Sequence, residues 1–434
     1  MLALHTRESA AKTHEDRGSP VRYLGAGGTF RLEPPRLRTA DSAREERHAT
    51  WFELFFDLVF AAALAVLAGS LARDPAAVVF ARFLGLFITV VWAWVLFTLY
   101  SNRFDTDDLI FRLAKSGAML AIAAAAVELR LVVEGHGGAA GFAIAYVVLR
   151  GLLIALYVRA MLDTTGAARQ LSKVYIAGYA ATTGLWLASV FVSGPARFGL
   201  WAAAMVIDLI IPVRAWATIK EHAVAVSHLT ERFGTFFIII LGQSILAAVT
   251  GVEGSEATFS SWAVAGLCLL VALCLWWIYF DLADTSVVGR GVLGLIYVYS
   301  HFVLLAGVAL FGVGSKLAIE QATHEHLSPA ARWASAGGIG AFALSLAAVH
   351  LGAEWTSMRD RAFAGRIALA LLGLILAVTG VLETPTLFVS VLAGGVIGQL
   401  LLEAFTPRAG AASIVQIDAA GPPLAASEAS GVRR

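Results

Sequence analysis

The sequence has few charged residues and only two cysteines. Both shortages restrict the classes of protein to which it can belong. Charged residues make up 15% of its 434 residues and apolar residues 59%, against about 25% and about 45–50% in soluble domains. A soluble fold of this size could not hide so much apolar surface from water. The 32 lysines and arginines nearly balance the 31 aspartates and glutamates, so no basic excess favours nucleic acid as a partner. The composition predicts an integral membrane protein whose partner is the lipid bilayer.

The cysteine spacing and the lack of familiar enzyme motifs argue against a disulfide, a bound metal ion and the common catalytic sites. Cys268 and Cys274 lie six positions apart in one apolar run, so they point to different faces of a helix and are not expected to pair. The sequence contains no CxxC pair, nucleophile elbow, Walker A loop or HExxH motif. We therefore predict no metal ion or other cofactor. The first 30 residues lack the apolar core of a signal peptide, so the first membrane helix is expected to act as the targeting signal.

Long apolar runs dominate what is present. Twelve runs of about 20 residues alternate with short polar links, and about 20 residues of helix cross a bilayer's hydrocarbon. Barrel strands would instead alternate over about 10 residues. The predicted fold class is an all-α, polytopic transmembrane bundle of about 12 helices. The predicted spans are 51–71, 77–100, 112–132, 140–161, 173–193, 197–215, 231–251, 260–280, 291–313, 333–352, 366–382 and 386–405.

The runs and the polar ends divide the chain into four segments. Residues 1–50 and 408–434 are polar or rich in small residues and are predicted to be disordered cytoplasmic tails. Residues 51–225 and 226–407 are predicted to form two domains of six helices each.

Two sequence matches between these halves predict an internal repeat. The stretch ELFFDLVF, which begins at Glu53, aligns with ERFGTFFI from Glu231 at an offset of 178 residues. The ends of the second and eighth runs align at an offset of 179 residues and place Asn102 on Asp281. Because each half has an even number of helices, the halves are predicted to be parallel repeats related by an axis along the membrane normal.

Charges in the links predict the orientation. Thirteen lysines and arginines, among them Arg103, Lys115 and Arg366, are assigned to links on one side, and six to the other. Since positive links stay in the cytoplasm, both termini are predicted to be cytoplasmic.

Two motifs carry a family resemblance. Residues 47–65 read RHATWFELFFDLVFAAALA, and residues 228–246 read HLTERFGTFFIIILGQSIL. Both resemble signatures of the bacterial low temperature requirement A family, and the resemblance extends from residue 47 to about residue 405. In that family the residue after Leu-Gly is more often glutamate, so Gln243 is a neutral substitution. The resemblance implies a polytopic protein of the bacterial cell (inner) membrane, linked by name to growth in the cold.

Carboxylates in the first run are the main candidates for a functional site. A charge at the bilayer centre costs about 2.5–3.5 kcal/mol on insertion scales, so such residues usually face protein or water. Glu53 and Asp57 are four positions apart and stack on one helix face. They predict a proton or cation site. The alternative is structural, with Glu53 at a helix start and Asp57 paired with an arginine of a neighbouring helix.

The seventh run supplies a second candidate group. Glu231 and Arg232 open the run behind Thr230, a plausible helix cap. Gln243 and Ser244 lie deep in the same run, where they either contact a substrate or hydrogen-bond to neighbouring helices.

Other polar residues inside the runs complete the candidate pathway. Arg150 lies in the middle of the fourth run and needs a carboxylate, for which Asp57 or Asp208 is predicted. Asp208 precedes Pro212 by four positions, so it could lie at a kinked or broken helix. The pathway set also includes three residues of other runs: Asn102, Asp281 and His301.

Three functions fit these features. A transporter or channel for an ion or small solute agrees best with two repeats and carboxylates within the bundle. A membrane-embedded enzyme acting on a lipid or isoprenoid could use the polar groups of the inner face. A non-catalytic cold or stress protein, with small residues packing its helices or forming a homo-oligomer, is the third.

Overall fold

The computed structural model describes residues 34–37, 49–105, 107–218, 226–282, 292–353, 361–382 and 384–405. They confirm the predicted all-α bundle. The first half contains α1 (Trp51–Arg73), α2 (Ala77–Arg103), α3 (Leu109–Glu134), α4 (Ala139–Asp163), α5 (Gly166–Val190) and α6 (Pro195–Thr218). The second half contains α7 (Val226–Glu253), α8 (Phe259–Leu282), α9 (Val292–Glu320), α10 (Pro329–Arg332), a π-helical turn (Trp333–Gly337), α11 (Gly338–Ala353), α12 (Arg361–Thr379) and α13 (Pro385–Ala404). Because α10, the π-helical turn and α11 run on as one helix, the described residues form twelve long helices.

The helices of the described segments have the length and apolar character of membrane-spanning helices. Eleven of the twelve are long and apolar enough to cross a membrane, so the chain is a multi-pass membrane protein. Their outward faces carry exposed large apolar side chains such as Leu120, Leu246 and Leu273. The exception is α5, which has 25 residues but lacks the apolar character of the others.

Local sequence explains where several helices begin and end. Thr50 and Glu53 form a capping box at the start of α1: the Thr50 hydroxyl accepts from the Glu53 N–H at 3.2 Å, and the Glu53 carboxylate accepts from the Thr50 N–H at 3.2 Å. Asp108 caps α3 by accepting from the Phe111 N–H at 3.1 Å. Gly135 ends α3 in the left-handed conformation, with φ of 77°, which glycine adopts without a steric penalty.

The two halves share an order of helix neighbours. In the first half α1 packs on α2 and α3, and α3, α4, α5 and α6 then pack in chain order. In the second half α7 packs on α8 and α9, and α9, α11, α12 and α13 follow in the same way. This order supports the internal repeat, which stays a prediction. The second helices differ, since α8 packs on α13 whereas α2 lies against α7 and α9 of the other half.

Aromatic packing joins the halves into one core. The rings of Trp94 in α2 and Phe236 in α7 stack with centroids 4.2 Å apart. Two residues earlier on α2, the ring of Trp92 lies 6.2 Å from that of Tyr299 in α9. Since α1 also packs on α7 and α9, the amino-terminal helices of both halves meet at the centre.

The backbones of α9 and α11 approach each other closely. A Cβ atom added to Gly307 would lie 2.5 Å from the carbonyl oxygen of Gly338, and one added to Gly338 would lie 2.5 Å from the carbonyl oxygen of Gly307. Both distances are shorter than any real contact of a Cβ atom, so this backbone-to-backbone packing requires glycine at both positions.

A short two-stranded ribbon lies at the end of α2. Strand β1 (Arg36–Leu37) pairs antiparallel with β2 (Phe104–Asp105), which directly follows α2. Residues 36–37 belong to the segment for which the sequence predicts a disordered tail, and here they have a partner strand. The predicted tail at 408–434 lies outside the described residues.

Candidate functional site

A cluster of charged side chains is buried where α1, α2, α3 and α7 meet. Its acidic members are Glu53 and Asp57 of α1, and its basic members are Lys115 of α3 and Arg232 of α7. Each of these residues is at most 1% exposed. The carboxylates lie on one face of α1, as their spacing predicts, and that face points into the bundle rather than to lipid.

Asp57 pairs across the two halves of the protein. Arg232 donates from Nε to Asp57 Oδ2 at 3.1 Å and from Nη2 to Asp57 Oδ1. The indole Nε1 of Trp94 also donates to Asp57 Oδ1, at 2.6 Å. Of the two partners predicted for Arg150, Asp57 is therefore the wrong one, because Arg232, 175 residues away in sequence, occupies both carboxylate oxygens. Asp57 instead has the arginine of a neighbouring helix that the structural alternative predicts.

Glu53 gathers three basic groups in addition to its capping role. Arg232 Nη1 lies 3.2 Å from Glu53 Oε1, and the Lys115 ammonium lies 3.7 Å from the same oxygen. His228 Nε2 lies 3.3 Å from Glu53 Oε2. Arg232 thus bridges the two carboxylates, and every bridge from α7 to α1 crosses between the halves.

Lys115 was missed as a site residue by the sequence analysis, which assigned it to an inner link. It lies within α3, and its ammonium is 4.8 Å from the ring centroid of Phe56 and 5.0 Å from that of Phe111. These cation–π contacts stabilise a charge removed from water. A lysine so near the start of an apolar run looks like an interface residue, so only the packing of α3 on α1 identifies its role.

His228 was also missed, and it links the cluster to α2. Its Nδ1 lies 3.4 Å from Asn102 Nδ2, and its ring is completely buried. Asn102, predicted from its position at the end of the second run, thus reaches the cluster through His228. Glu231 is half-buried beside it and accepts from the Ala49 N–H at 3.1 Å, which ties the start of α7 to the entry of α1.

The charges of this cluster balance. Two carboxylates face one ammonium and one guanidinium, so the cluster is neutral when His228 is neutral. Removing ions from water costs several kcal/mol each, and this cost is recovered only when the partners are close and hydrogen-bonded. The Asp57–Arg232 pair meets that condition through its hydrogen bonds, whereas Lys115 Nζ and Arg232 Nη1 reach Glu53 Oε1 as ion pairs at 3.7 Å and 3.2 Å. Arg232 thus lies between Glu53 and Asp57.

Arg150 and Asp208 form a separate buried pair inside the first half. Arg150 donates from Nη1 to Asp208 Oδ2 at 2.7 Å and from Nη2 to Oδ1 at 2.8 Å, which confirms Asp208 as the partner. The Thr182 hydroxyl donates to Asp208 Oδ1 at 2.8 Å, and the Arg150 guanidinium lies over the Tyr179 ring. The pair connects α4, α5 and α6 and has no contact with α7 among those described.

The helix around Asp208 is continuous. The α6 helix runs through Pro212, so the predicted kink does not break it. The Tyr299 hydroxyl donates to the carbonyl of Leu209 at 2.6 Å and thereby attaches α9 to α6 close to the proline.

The remaining predicted residues lie apart from the cluster. His301 is buried in α9 and contacts the Tyr279 hydroxyl at 3.0 Å through Nε2 and the Tyr297 carbonyl at 2.7 Å through Nδ1. Asp281 is in the last turn of α8, and its side chain lies outside the described residues. Arg366, assigned by sequence to an inner link, is instead buried and pairs with Glu403 through Nε at 3.0 Å.

Gln243 and Ser244 bond to the backbone of neighbouring helices. Gln243 Nε2 donates to the Ala61 carbonyl of α1 at 2.6 Å, and the Ser244 hydroxyl donates to the Val308 carbonyl of α9 at 3.1 Å. The geometry matches the structural alternative of the two predicted roles.

We expect Gln243→Leu to lower the free energy of unfolding by about 1 kcal/mol, the typical value of one interhelical hydrogen bond in a membrane. Urea or SDS unfolding of the purified full-length protein measures the change. Thr250→Val is the matched control, because the Thr250 hydroxyl bonds only within its own helix in the described structure. A Gln243→Leu variant as stable as the control would show that the bond to α1 contributes nothing.

No group of three or more His, Cys, Asp or Glu side chains within the described ranges could hold a metal ion. The candidate site is thus a network of charged and hydrogen-bonded side chains at the junction of the two halves.

The twelve long helices of the described residues, with a charge cluster buried between α1, α2, α3 and α7, define a multi-pass α-helical membrane protein. The profile of the family "Bacterial low temperature requirement A protein (LtrA)" matches residues 48–398, from the entry of α1 into α13. The chain belongs to this family, as its two motifs predict. It is also similar to an uncharacterized protein of Rhizobium meliloti (strain 1021), with 28% identity over 309 residues that cover 63% of this chain and 70% of that protein.

Proposed function

We propose that the protein is a transporter or channel that moves an ion or small solute across the bacterial cell (inner) membrane, with both termini in the cytoplasm. One observation carries this proposal: ion pairs between α1 and α7 join the two halves through a charge-balanced cluster within the bundle. Charges buried within the helix bundle of a membrane protein are costly to keep and commonly mark ion and solute pathways.

The physical basis is the position of Arg232. Its guanidinium touches Asp57 through two nitrogens and lies 3.2 Å from Glu53 through the third. If either carboxylate loses its charge or binds a solute, Arg232 can pair fully with the other. Such an exchange changes the contact between α1 and α7 and provides the two-state element that a coupled movement of the halves needs.

A reconstituted system tests transport directly. We expect purified wild-type protein in proteoliposomes to give currents or uptake for at least one member of a panel of monovalent cations, anions, amino acids and sugars. We expect Asp57→Asn to reduce that flux about tenfold or more, since about 1.4 kcal/mol of lost interaction corresponds to a factor of ten. The variant should still fold, because Arg232 keeps Glu53 as a partner.

Asp107→Asn is the matched control, because Asp107 forms an exposed pair with Arg112 beside the bundle. Wild-type flux in Asp57→Asn would assign the Asp57 pair to structure alone. If the wild-type protein moves nothing in the panel, and a strain lacking it accumulates a lipid precursor, the protein is instead an enzyme acting on a lipid or isoprenoid.

A further inference from the structure

The contacts of His228 match the neutral tautomer with its hydrogen on Nε2. An amide nitrogen can only donate, so Asn102 Nδ2, at 3.4 Å, requires His228 Nδ1 to be the acceptor. The imidazole is then neutral with its hydrogen on Nε2, which donates to Glu53 Oε2 at 3.3 Å. Both ring nitrogens are used, and the tautomer follows from the chemistry of the partners.

The charged groups around His228 can stabilise a second proton on its ring. Glu53 of α1 lies against its ring, Lys115 of α3 faces the other oxygen of Glu53, and Glu231 and Arg232 are on its own helix. On α2 the facing group is the neutral Asn102. A protonated imidazole would compensate Glu53, which then no longer needs Arg232.

The carboxylate oxygens of the cluster suit a proton better than a metal cation. Each oxygen of Glu53 and Asp57 already lies within 3.7 Å of a basic or N–H group. A metal ion would need several oxygen ligands facing it, and here those oxygens face Arg232, Lys115, Trp94 and His228. A proton needs only one lone pair, and Nδ1 supplies it once the Asn102 amide turns.

We propose that His228 is the proton-binding residue of the cluster and that the ion coupled to transport is a proton. The inference rests on the proposed transport function. A proton adds to His228 Nδ1, and the Asn102 amide rotates by half a turn so that Oδ1 accepts the new N–H. The imidazolium holds Glu53, and Arg232 turns fully to Asp57. No covalent bond breaks, and proton release restores the original contacts.

Charge displacement on a solid-supported membrane tests this without knowledge of the solute. In wild-type proteoliposomes a pH jump should give a transient current, because the proton enters a site inside the bundle. Jumps of Na⁺ or K⁺ at constant pH and ionic strength should give only the signal of protein-free liposomes. His228→Gln, which keeps a donor toward Glu53 but takes up no proton, should lose the pH-jump current. His136→Gln, an exposed histidine of an outer loop, should keep it.

A second variant covers the possibility that His228→Gln does not fold. Asn102→Asp puts a carboxylate beside Nδ1, so the midpoint of the pH-jump current should move up by about one pH unit. A current that arises from proton uptake elsewhere than at His228 would keep its midpoint in place. A wild-type current in His228→Gln, an unmoved midpoint in Asn102→Asp, or a larger response to Na⁺ or K⁺ each overturns the inference.

The two proposals can fail separately. Solute uptake driven by a Na⁺ or K⁺ gradient, and not by a pH gradient, would keep the transport function and overturn the proton as coupling ion. A pH-jump current that depends on His228, without flux of any solute in the panel, would support proton binding and overturn transport.

Discussion

Replacing Asp208 with asparagine is expected to lower the free energy of unfolding by about 3–5 kcal/mol, the usual effect of removing one partner of a buried ion pair. Arg150 is completely buried in α4, and Asp208 accepts from two of its nitrogens. Without the carboxylate, the guanidinium keeps only uncharged partners among the described residues: the new amide, hydroxyls, a carbonyl and a tyrosine ring. Urea or SDS unfolding of the full-length protein in detergent measures the loss.

Two further variants distinguish the effect of the buried ion pair from the effect of removing any charge. The double variant Arg150→Met, Asp208→Leu should recover most of the stability, because two apolar side chains leave no buried charge. Asp107→Asn breaks an exposed pair, in which the side chains of Arg112 and Asp107 are 39% and 45% exposed, and should cost less than about 1 kcal/mol. If Asp208→Asn unfolds like the wild type, the pair does not hold α4 and α6 together.

A methyl group at Gly338 is expected to separate α9 from α11 and to lower the free energy of unfolding by about 3 kcal/mol, the upper part of the range for overpacking. The new Cβ would lie 2.5 Å from the Gly307 carbonyl oxygen and 2.8 Å from the Phe311 nitrogen. Both atoms belong to the backbone of α9, so neither can move aside as a flexible side chain does. Unfolding of Gly338→Ala in detergent measures the effect.

The adjacent glycine provides a matched control with a different expected result. A Cβ atom on Gly337 would lie 3.5 Å from the Trp333 ring, which is an ordinary contact. Gly337→Ala should therefore be neutral or slightly stabilising, because alanine favours a helix over glycine by up to about 1 kcal/mol. Equal stability of Gly338→Ala and Gly337→Ala would contradict the close backbone packing.

The helices could be predicted from sequence because each depends on local chemistry. The length of each apolar run identifies the membrane spans. The capping box formed by Thr50 and Glu53, which are three residues apart, marks the start of α1. The π-helical turn at Trp333–Gly337 could not be predicted, since it depends on how that segment packs on α9. The neighbour order also needed tertiary contacts, because apolar periodicity shows which face is buried but not which helix covers it.

The site could be predicted only in part. The inward position of Glu53 and Asp57 and the need of Arg150 for a carboxylate follow from the cost of exposing charge to lipid, and Asp208 is one of the two predicted partners. The bridge from Asp57 to Arg232 spans 175 residues, and nothing local indicates that α7 lies against α1. Lys115 and His228 were overlooked because each is close to the end of an apolar run, where a polar residue ordinarily faces water.

The modest apolarity of α5 bears on how the chain enters the bilayer during synthesis. This helix would partition poorly as an isolated segment, and α4 carries a guanidinium at mid-depth. The contacts of Arg150 and Thr182 with Asp208 give both helices a polar partner that neither has alone. We therefore expect α4 and α5 to be held in the bilayer most firmly once α6 is present.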